Sequence, residues 1–334
     1  MVAQPLEIET QKRLMTIAVV ILNWNGAHLL KHFLPSVVEN LCENATIYVI
    51  DNHSTDNSVE VLYNQFPSVK IIQLDQNYGF TGGYNKGLKQ IKSDLYVLLN
   101  NDVKVTDDWL SHLRDYLEIH PEVAACQPKI LDYKNPSKFE YAGAAGGFLD
   151  KNGYPYCRGR LFDKIEEDKG QYDTVCEIDW ATGACLMIRS EWFHRLGGLD
   201  EYFFAHMEEI DLCWRLRNAG QKIVCIPQSK VYHLGGATLN TKDPKKIYLN
   251  FRNNLFLLYK NLPKKERSIT LFRRFFLDYI AAAKFLLTGK FRYFKAVIQA
   301  RIDYHKNKKH YADFTQDNYV KNTHSINILL KRYL

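Results

Sequence analysis

Amide, carboxylate and glycine side chains cluster in this chain at the points where apolar runs stop. Asn23-Trp24-Asn25-Gly26 follows one run, Asp51-Asn52-His53-Ser54-Thr55-Asp56 a second, Asn77-Tyr78-Gly79-Phe80-Thr81-Gly82-Gly83 a third, and Asn100-Asn101-Asp102 a fourth. A single carboxylate with amide neighbours suits a hard divalent cation, Mg²⁺ or Mn²⁺, that takes its remaining ligands from substrate phosphates. Gly82-Gly83-x-Asn85-x-Gly87 lets backbone come close to a ligand, and a helix opening there offers free N–H groups to a phosphate or a ribose. Any one cluster is ordinary turn chemistry; four in series are not. A further acidic group, Glu208-Glu209-Ile210-Asp211, opens a helical stretch. There the helix dipole favours negative charge, and Asp211 can pair with Arg215 one turn on. Neither G-x-G-x-x-G after the first run nor G-x-x-x-x-G-K-[ST] occurs, which disfavours dinucleotide redox chemistry and P-loop hydrolysis.

These residues need a scaffold that brings their clusters together. The continuous apolar runs Ile17–Leu22, Thr46–Ile50, Val69–Leu74 and Leu95–Leu99 read as strands buried on both faces. Helical periodicity separates them: Leu29 to Val38 (with Pro35 expected to bend or interrupt it), Val59 to Phe66, Gly83 to Ile91, and then Trp109 to Leu117. This alternation predicts an α/β fold with an open, mostly parallel, doubly wound sheet and flanking helices, and such sheets bind ligands outside the carboxyl ends of their strands. Residues 127–180 show no sustained period and predict irregular loops with a hairpin. Order returns with a strand at Ala184–Ile188, a helix at Glu208–Ala219 closed by Gly220, and a strand at Lys222–Ile226.

The 334 residues carry 46% apolar and 24% charged side chains, an ordinary globular balance. The apolar runs fall far below the ~20 residues of a spanning helix. Seven scattered cysteines without C-x-x-C predict free thiols and a reducing compartment. The net charge of +7 hides an asymmetry: residues 241–334 hold 21 Lys and Arg against 6 Asp and Glu, net +15, and the rest of the chain is net −8. In that basic region Lys and Arg interleave with Phe and Tyr at helical spacing. Two roles are expected of it, packing on the body of the protein and peripheral contact with an anionic membrane; without a nucleic-acid motif, nucleic acid ranks last.

In combination, Val20-Ile-Leu-Asn-Trp-Asn-Gly26, Val49-Ile-Asp-Asn-His-Ser-Thr-Asp56, Asn77-Tyr-Gly-Phe80 with Gly82-Gly-Tyr-Asn-Lys-Gly87, Leu98-Leu-Asn-Asn-Asp102, Gly183-Ala-Cys-Leu-Met-Ile-Arg189, Phe203 to Arg217 and Val231-Tyr-His-Leu-Gly-Gly236 resemble the inverting family 2 glycosyltransferases of GT-A fold, in the rhamnosyltransferase-like branch. The order is the family's, over roughly residues 16–240. The resemblance implies a short extension (1–15), a GT-A catalytic domain (16–240) and a helical C-terminal region (241–334). It implies that Asp51 binds the nucleotide base, that Asn23 and Asn25 line the same pocket, and that Asn77, Gly79, Gly82, Gly83, Asn85 and Asn101 complete the nucleotide-sugar site. Asp102 becomes a metal ligand, with Asn100 where the family's first motif Asp stands, and His233 completes the metal shell. Glu209 stands where the base Asp usually stands, Glu208 binds acceptor hydroxyls or shares that role, and Trp180 and Gly183 lie on the acceptor side. The implied partners are a nucleotide sugar, best a dTDP-deoxyhexose such as dTDP-rhamnose and otherwise a UDP-sugar, and a surface-glycan or lipid-linked acceptor. The implied setting is the cytoplasm, at the inner face of the membrane. A non-catalytic nucleotide-sugar- or glycan-binding relative is the alternative.

Overall fold

The computed structural model describes residues 14–161, 164–235, 243–312 and 314, so the N-terminal extension and the boundary at 240/241 fall almost wholly outside the described residues. Thirteen strands form in chain order: β1 (Ile17–Asn23), β2 (Ala45–Asp51), β3 (Lys70–Gln73), β4 (Leu95–Asn100), β5 (Val103–Val105), β6 (Val123–Asp132), β7 (Gly147–Leu149), β8 (Pro155–Cys157), β9 (Arg160–Leu161), β10 (Lys164–Ile165), β11 (Cys176–Glu177), β12 (Cys185–Arg189) and β13 (Lys222–His233). The helices are α1 (Ala27–Glu39), α2 (Ser58–Gln65), α3 (Gly79–Leu88), α4 (Trp109–Ile119), α5 (Ser190–Arg195), α6 (Glu208–Asn218), α7 (Pro244–Asn261), α8 (Lys264–Leu287) and α9 (Phe291–Asn307).

The main sheet runs β11-β13-β6-β12-β4-β1-β2-β3, with β5 paired to β13. Strands β3, β2, β1 and β4 are parallel, β6 and β13 share their direction, and β12 runs against both neighbours. Six carboxyl ends therefore meet at one edge, which the amino end of the reversed β12 joins. Alternate residues feed two cores. Val20, Ile50 and Leu98 pack with Tyr84 and Leu88 of α3, while Val19, Val49 and Leu99 pack with Leu30 and Leu34 of α1 and Leu110 and Leu113 of α4. Covering both faces explains the unbroken apolar runs.

Three local expectations change. Helix α1 continues through Pro35; the carbonyl that Pro35 cannot serve belongs to the exposed Lys31. Helix α3 starts at Gly79, not Gly83, and its glycines serve packing: a Cβ on Gly87 would lie 2.1 Å from Ile50 Cδ1, and one on Gly83 2.7 Å from Leu22 Cδ1. Residues 127–180 are more ordered than their composition suggests. The fully buried β6 is disguised by Gln127 and Lys129, whose polar ends are satisfied by the Thr182 amide at 3.0 Å and the Asp168 carboxylate at 2.8 Å, and β7 to β10 form a second sheet. Similarly, β13 runs past Ile226 to His233 with a register shift between Ile226 and Lys230. All seven cysteines are free thiols.

Among the described residues, the basic region packs on the body as α7, α8 and α9. Lys260 of α7 reaches Asp200 Oδ2 at 2.7 Å and Asp211 Oδ2 at 2.8 Å, and Asn261 Nδ2 donates to Asp211 Oδ1 at 2.8 Å. Asp211 also accepts from Arg215 Nε at 2.8 Å and is fully buried. Removing one partner from such a buried ionic cluster leaves charge uncompensated. Lys260→Met is therefore expected to cost about 3 kcal/mol, read as a lower urea midpoint at unchanged slope. No helix among the described residues is long and apolar enough to cross a membrane.

Candidate active site

The carboxyl ends of β1, β2 and β4 bring three of the expected residues together. Asn23 Nδ2 donates to Asp51 Oδ1 at 3.4 Å, and Asn101 Nδ2 donates to Asn23 Oδ1 at 3.0 Å. Asp51 Oδ2 accepts from the Ser54 amide at 2.9 Å. Asn25, at a left-handed φ of 50°, receives the Thr55 amide on Oδ1 at 2.7 Å, so it braces the loop after β2. Asn77 and Gly79 are held by a residue the sequence did not single out. Asn52 Nδ2 donates to Asn77 Oδ1 at 3.0 Å and to the Gly79 carbonyl at 2.9 Å, and its Oδ1 accepts from the Tyr78 amide at 2.9 Å. Gly79 has φ +70°, and a Cβ there would meet the Phe204 ring at 3.0 Å.

Gly82, Gly83 and Asn85 are buried and make packing contacts. A Cβ on Gly82 would lie 3.0 Å from Tyr78 Cβ, and Gly83 faces β1 as described above. Asn85 spends its amide on Leu199, accepting from its N–H at 2.9 Å and donating to its carbonyl at 2.7 Å. These residues seat α3 and tie it to the segment before α6.

A second cluster adjoins the first through the consecutive Asn100, Asn101 and Asp102. His233 ends β13 opposite Val103 of β5, so its ring faces the residue just before β5. Its Nε2 lies 3.1 Å from Asp102 Oδ1 and 3.4 Å from Asn100 Nδ2. Its Nδ1 faces Glu140 Oε1 at 3.4 Å, an ion-pair distance without hydrogen-bond alignment. Burial alone would lower the His233 pKa, but the hydrogen bond to Asp102 and the nearby Glu140 carboxylate outweigh burial and raise it to about 10.

This donor set fits a hard divalent cation. The spacing of 3.1 Å between Asp102 Oδ1 and His233 Nε2 is close to the edge of an octahedron with arms of about 2.1 Å. Glu140 supplies the carboxylate that commonly orients a ligating imidazole from its other nitrogen. Among the described residues no group of three or more His, Cys, Asp or Glu side chains is placed to hold a metal ion by itself. Glu140 is buried and lay in the stretch that looked irregular; nothing in the sequence marked it.

The acidic group opens α6. Just before it, Phe204, His206 and Met207 all have left-handed φ, at 64°, 68° and 74°. Such backbone persists only where its surroundings impose it. Here Asn253 of α7 does so: its Nδ2 lies 2.9 Å from the Phe203 carbonyl, 2.9 Å from that of Ala205 and 2.8 Å from that of His206. Glu208 is buried, and Glu208 Oε2 and Glu209 Oε2 are buried atoms without a hydrogen-bond partner. Burial, together with the neighbouring Glu209 charge, holds the Glu208 carboxyl well above the usual carboxylate range. Burial lifts Glu209 to about 7, against the pull of the backbone N–H groups of Glu209 and Ile210. A carboxyl that titrates there is matched to general-base work near neutral pH. His206 is driven the other way, to about 4, by burial and by Lys246, and so is neutral.

Of the two residues expected on the acceptor side, Gly183 precedes β12 at the same edge, with only Phe80 Cζ within reach of a Cβ, at 3.7 Å. Trp180 is a packing residue: it is buried, its Nε1 donates to the Phe148 carbonyl at 3.0 Å, and Gly147 sits against its ring. Exposed rings near the site include Trp24 after β1, Tyr141 beside Glu140 and Phe204 before α6.

The model of the Glycosyl transferase family 2 matches residues 18–197. Among relatives, the N-acetylglucosaminyl-diphospho-decaprenol L-rhamnosyltransferase of Mycobacterium tuberculosis is 25% identical over 233 residues, covering 62% of this chain and 72% of its own length. The low-salt glycan biosynthesis hexosyltransferase Agl10 of Haloferax volcanii is 24% identical over 256 residues, covering 73% and 75%. Rhamnosyltransferase WbbL of Escherichia coli is 36% identical over 70 residues, covering 21% and 26%. In fold the chain is similar to the mannosyltransferase PcManGT of Pyrobaculum calidifontis, in complex with GDP-Man and Mn²⁺, with TM-score 0.56, 13% identity and 89% of each chain covered. It is also similar to GalNAc-T7 with UDP, GalNAc and Mn²⁺, with TM-score 0.59 and 18% identity over 90% of this chain and 58% of that one. These neighbours share the GT-A architecture that the resemblance implied, and the family match spans more than half of the sequence: the chain belongs to glycosyl transferase family 2.

Proposed function

We propose that the protein is an inverting glycosyltransferase that moves a deoxyhexose, rhamnose first among them, from a dTDP-sugar (otherwise a sugar from a UDP-sugar) to a lipid-linked or growing surface glycan on the cytoplasmic side of the membrane. The observation that carries this reading is Glu209. It has an unpartnered oxygen and a pKa of about 7, and it follows a strained loop held by α7. The rhamnosyltransferase relatives support the donor class, and the decaprenol-linked substrate in one of their names supports the acceptor class.

In this mechanism Asp51, with Asn23 and Asn101 about it, receives the nucleotide. Asp102 and His233 would hold Mg²⁺ or Mn²⁺, and Glu140 would fix the imidazole. When bound, that ion supplies positive charge against the departing diphosphate. Glu209 takes the proton of the acceptor hydroxyl as its oxygen attacks the anomeric carbon from the face opposite the leaving group. Glu208, kept protonated by burial and by its neighbour, can donate a hydrogen bond to an acceptor hydroxyl. Positioning and leaving-group electrostatics carry most of the acceleration.

Calorimetry with dTDP and UDP, with and without Mn²⁺, followed by hydrolysis of a panel of nucleotide sugars, tests the reading. Expected are Mn²⁺-dependent nucleotide binding and slow hydrolysis of one donor. Binding without hydrolysis or transfer to any acceptor would identify a non-catalytic relative, and absence of nucleotide binding would refute the site.

A further inference from the structure

Helix α8 is built inside out. A helix on a protein surface in water turns its apolar stripe inward. The residues that α8 buries are instead Thr270, Arg274, Asp278 and Ala282, at steps of four. Arg274 and Asp278 are satisfied as a polar network: Arg274 Nε pairs with Asp278 Oδ1 at 3.1 Å, Arg301 Nη1 of α9 with Asp278 Oδ2 at 2.6 Å, and Arg274 with Asn254 of α7 and the Asn152 carbonyl. The opposite stripe is apolar and open. Ile269, Phe272, Phe276, Ile280 and Leu287 recur at helical spacing, with Phe272 67%, Ile280 65% and Leu287 86% exposed, and Phe291 at the start of α9 extends the stripe at 61%. Contiguous exposed apolar surface of this kind marks an interaction site.

The charges flanking the stripe identify its occupant. Arg273 and Lys284 border it along α8, and Lys290 and Arg292 border it at the α8–α9 turn; all four are exposed. From residue 267 to 302 the only carboxylate is Asp278, which is buried beneath Arg274 and Arg301. A second copy of the same face would present the same cations, so self-association on this stripe is opposed by charge. An anionic lipid surface matches both features: acyl chains take the Phe and Ile side chains, and headgroup phosphates take the bordering Lys and Arg. We propose that the outer face of α8, with the α8–α9 turn, lies in the surface of an anionic bilayer as a monotopic anchor. This inference does not depend on the donor or on the catalytic roles above. It gives the inside-out helix a purpose, and α7, which carries Asn253, links the anchor to the loop before Glu208.

The test uses the full chain and co-sedimentation with vesicles of phosphatidylcholine alone or with added phosphatidylglycerol. Wild type is expected to bind the mixed vesicles. Phe272→Gln/Phe276→Gln/Ile280→Gln is expected to reduce that partitioning about tenfold or more, with unchanged circular dichroism and unchanged donor hydrolysis in solution. Arg273→Gln/Lys284→Gln/Lys290→Gln/Arg292→Gln is expected to erase the preference for phosphatidylglycerol. Wild type that binds neither vesicle overturns the proposal, as does a triple variant that binds as well as wild type. A wild-type dimer that the triple variant converts to monomer, with no vesicle binding, would assign the face to a second copy instead.

Discussion

Replacing Glu209 by Gln is expected to lower the rate of sugar transfer about a thousandfold, the scale of a lost general base, while the protein stays folded. Gln keeps the shape of the side chain and one of its oxygens but cannot accept the acceptor's proton. Two further consequences follow from the raised pKa. First, wild-type turnover should climb as pH passes through about 7, because only ionised Glu209 serves as a base; the residual activity of the variant should lack that limb. Second, the carboxyl titrates at about 7 in the folded chain against an ordinary value of 4.5. Protonated Glu209 is favoured by the fold, so its contribution to stability is fully present below 4.5 and is lost as pH rises through 7. Glu209→Gln should therefore melt higher than wild type at pH 8, and the gap should close towards pH 4.5. A variant that transfers sugar at the wild-type rate would remove Glu209 from the mechanism. Equal melting temperatures across this range would mean that its carboxyl is not held in the protonated form.

The second large effect is expected at Asp102. Asp102→Ala removes the only carboxylate next to His233 Nε2 and leaves Glu140 as the remaining acidic partner of the imidazole. Stabilisation of the leaving diphosphate should fall by about a hundredfold to a thousandfold in turnover, and added Mn²⁺ should no longer strengthen nucleotide binding. Because Asn101 still reaches Asn23 at 3.0 Å, nucleotide binding without metal should persist. Mn²⁺ titration followed by electron paramagnetic resonance, with and without nucleotide, separates these terms. Undiminished Mn²⁺ binding in the variant would place the ion elsewhere.

Much of this site could be read from the sequence because its residues sit at strand ends, where apolar runs stop and Asn, Asp and His stand out. Asn23, Asp51, Asn101 and Asp102 were expected at one sheet edge, and they lie there; His233, singled out only by the resemblance, joins them because β13 runs past Ile226. What could not be read are contacts made across the fold. Glu140 meets His233 because its segment folds back on β6, its N–H donating to the Ile130 carbonyl at 3.1 Å, while β6 pairs with β13; Gln127 and Lys129 hide β6 by breaking its apolar pattern. Asn253 looks like any other helix amide until its three carbonyl partners are seen. The glycines of α3 and Asn85 were read as a ligand cradle; their packing against Ile50, Leu22 and Leu199 is a second demand on them that the sequence did not show. Trp180 offered an aromatic face in sequence, and Gly147 and Phe148 enclose it in the structure. In the basic region, periodicity showed helices; it did not show that α8 buries Arg274 and Asp278 and exposes its rings.

The central claim, that Glu209 activates an attacking hydroxyl at a nucleotide-sugar site, is tested most directly by following donor cleavage with proton nuclear magnetic resonance before the released sugar mutarotates. The chain with Mn²⁺ and its preferred donor should yield first the anomer opposite to that of the donor, and Glu209→Gln should yield almost none. Release of the same anomer as the donor, or equal release by the variant, would contradict it.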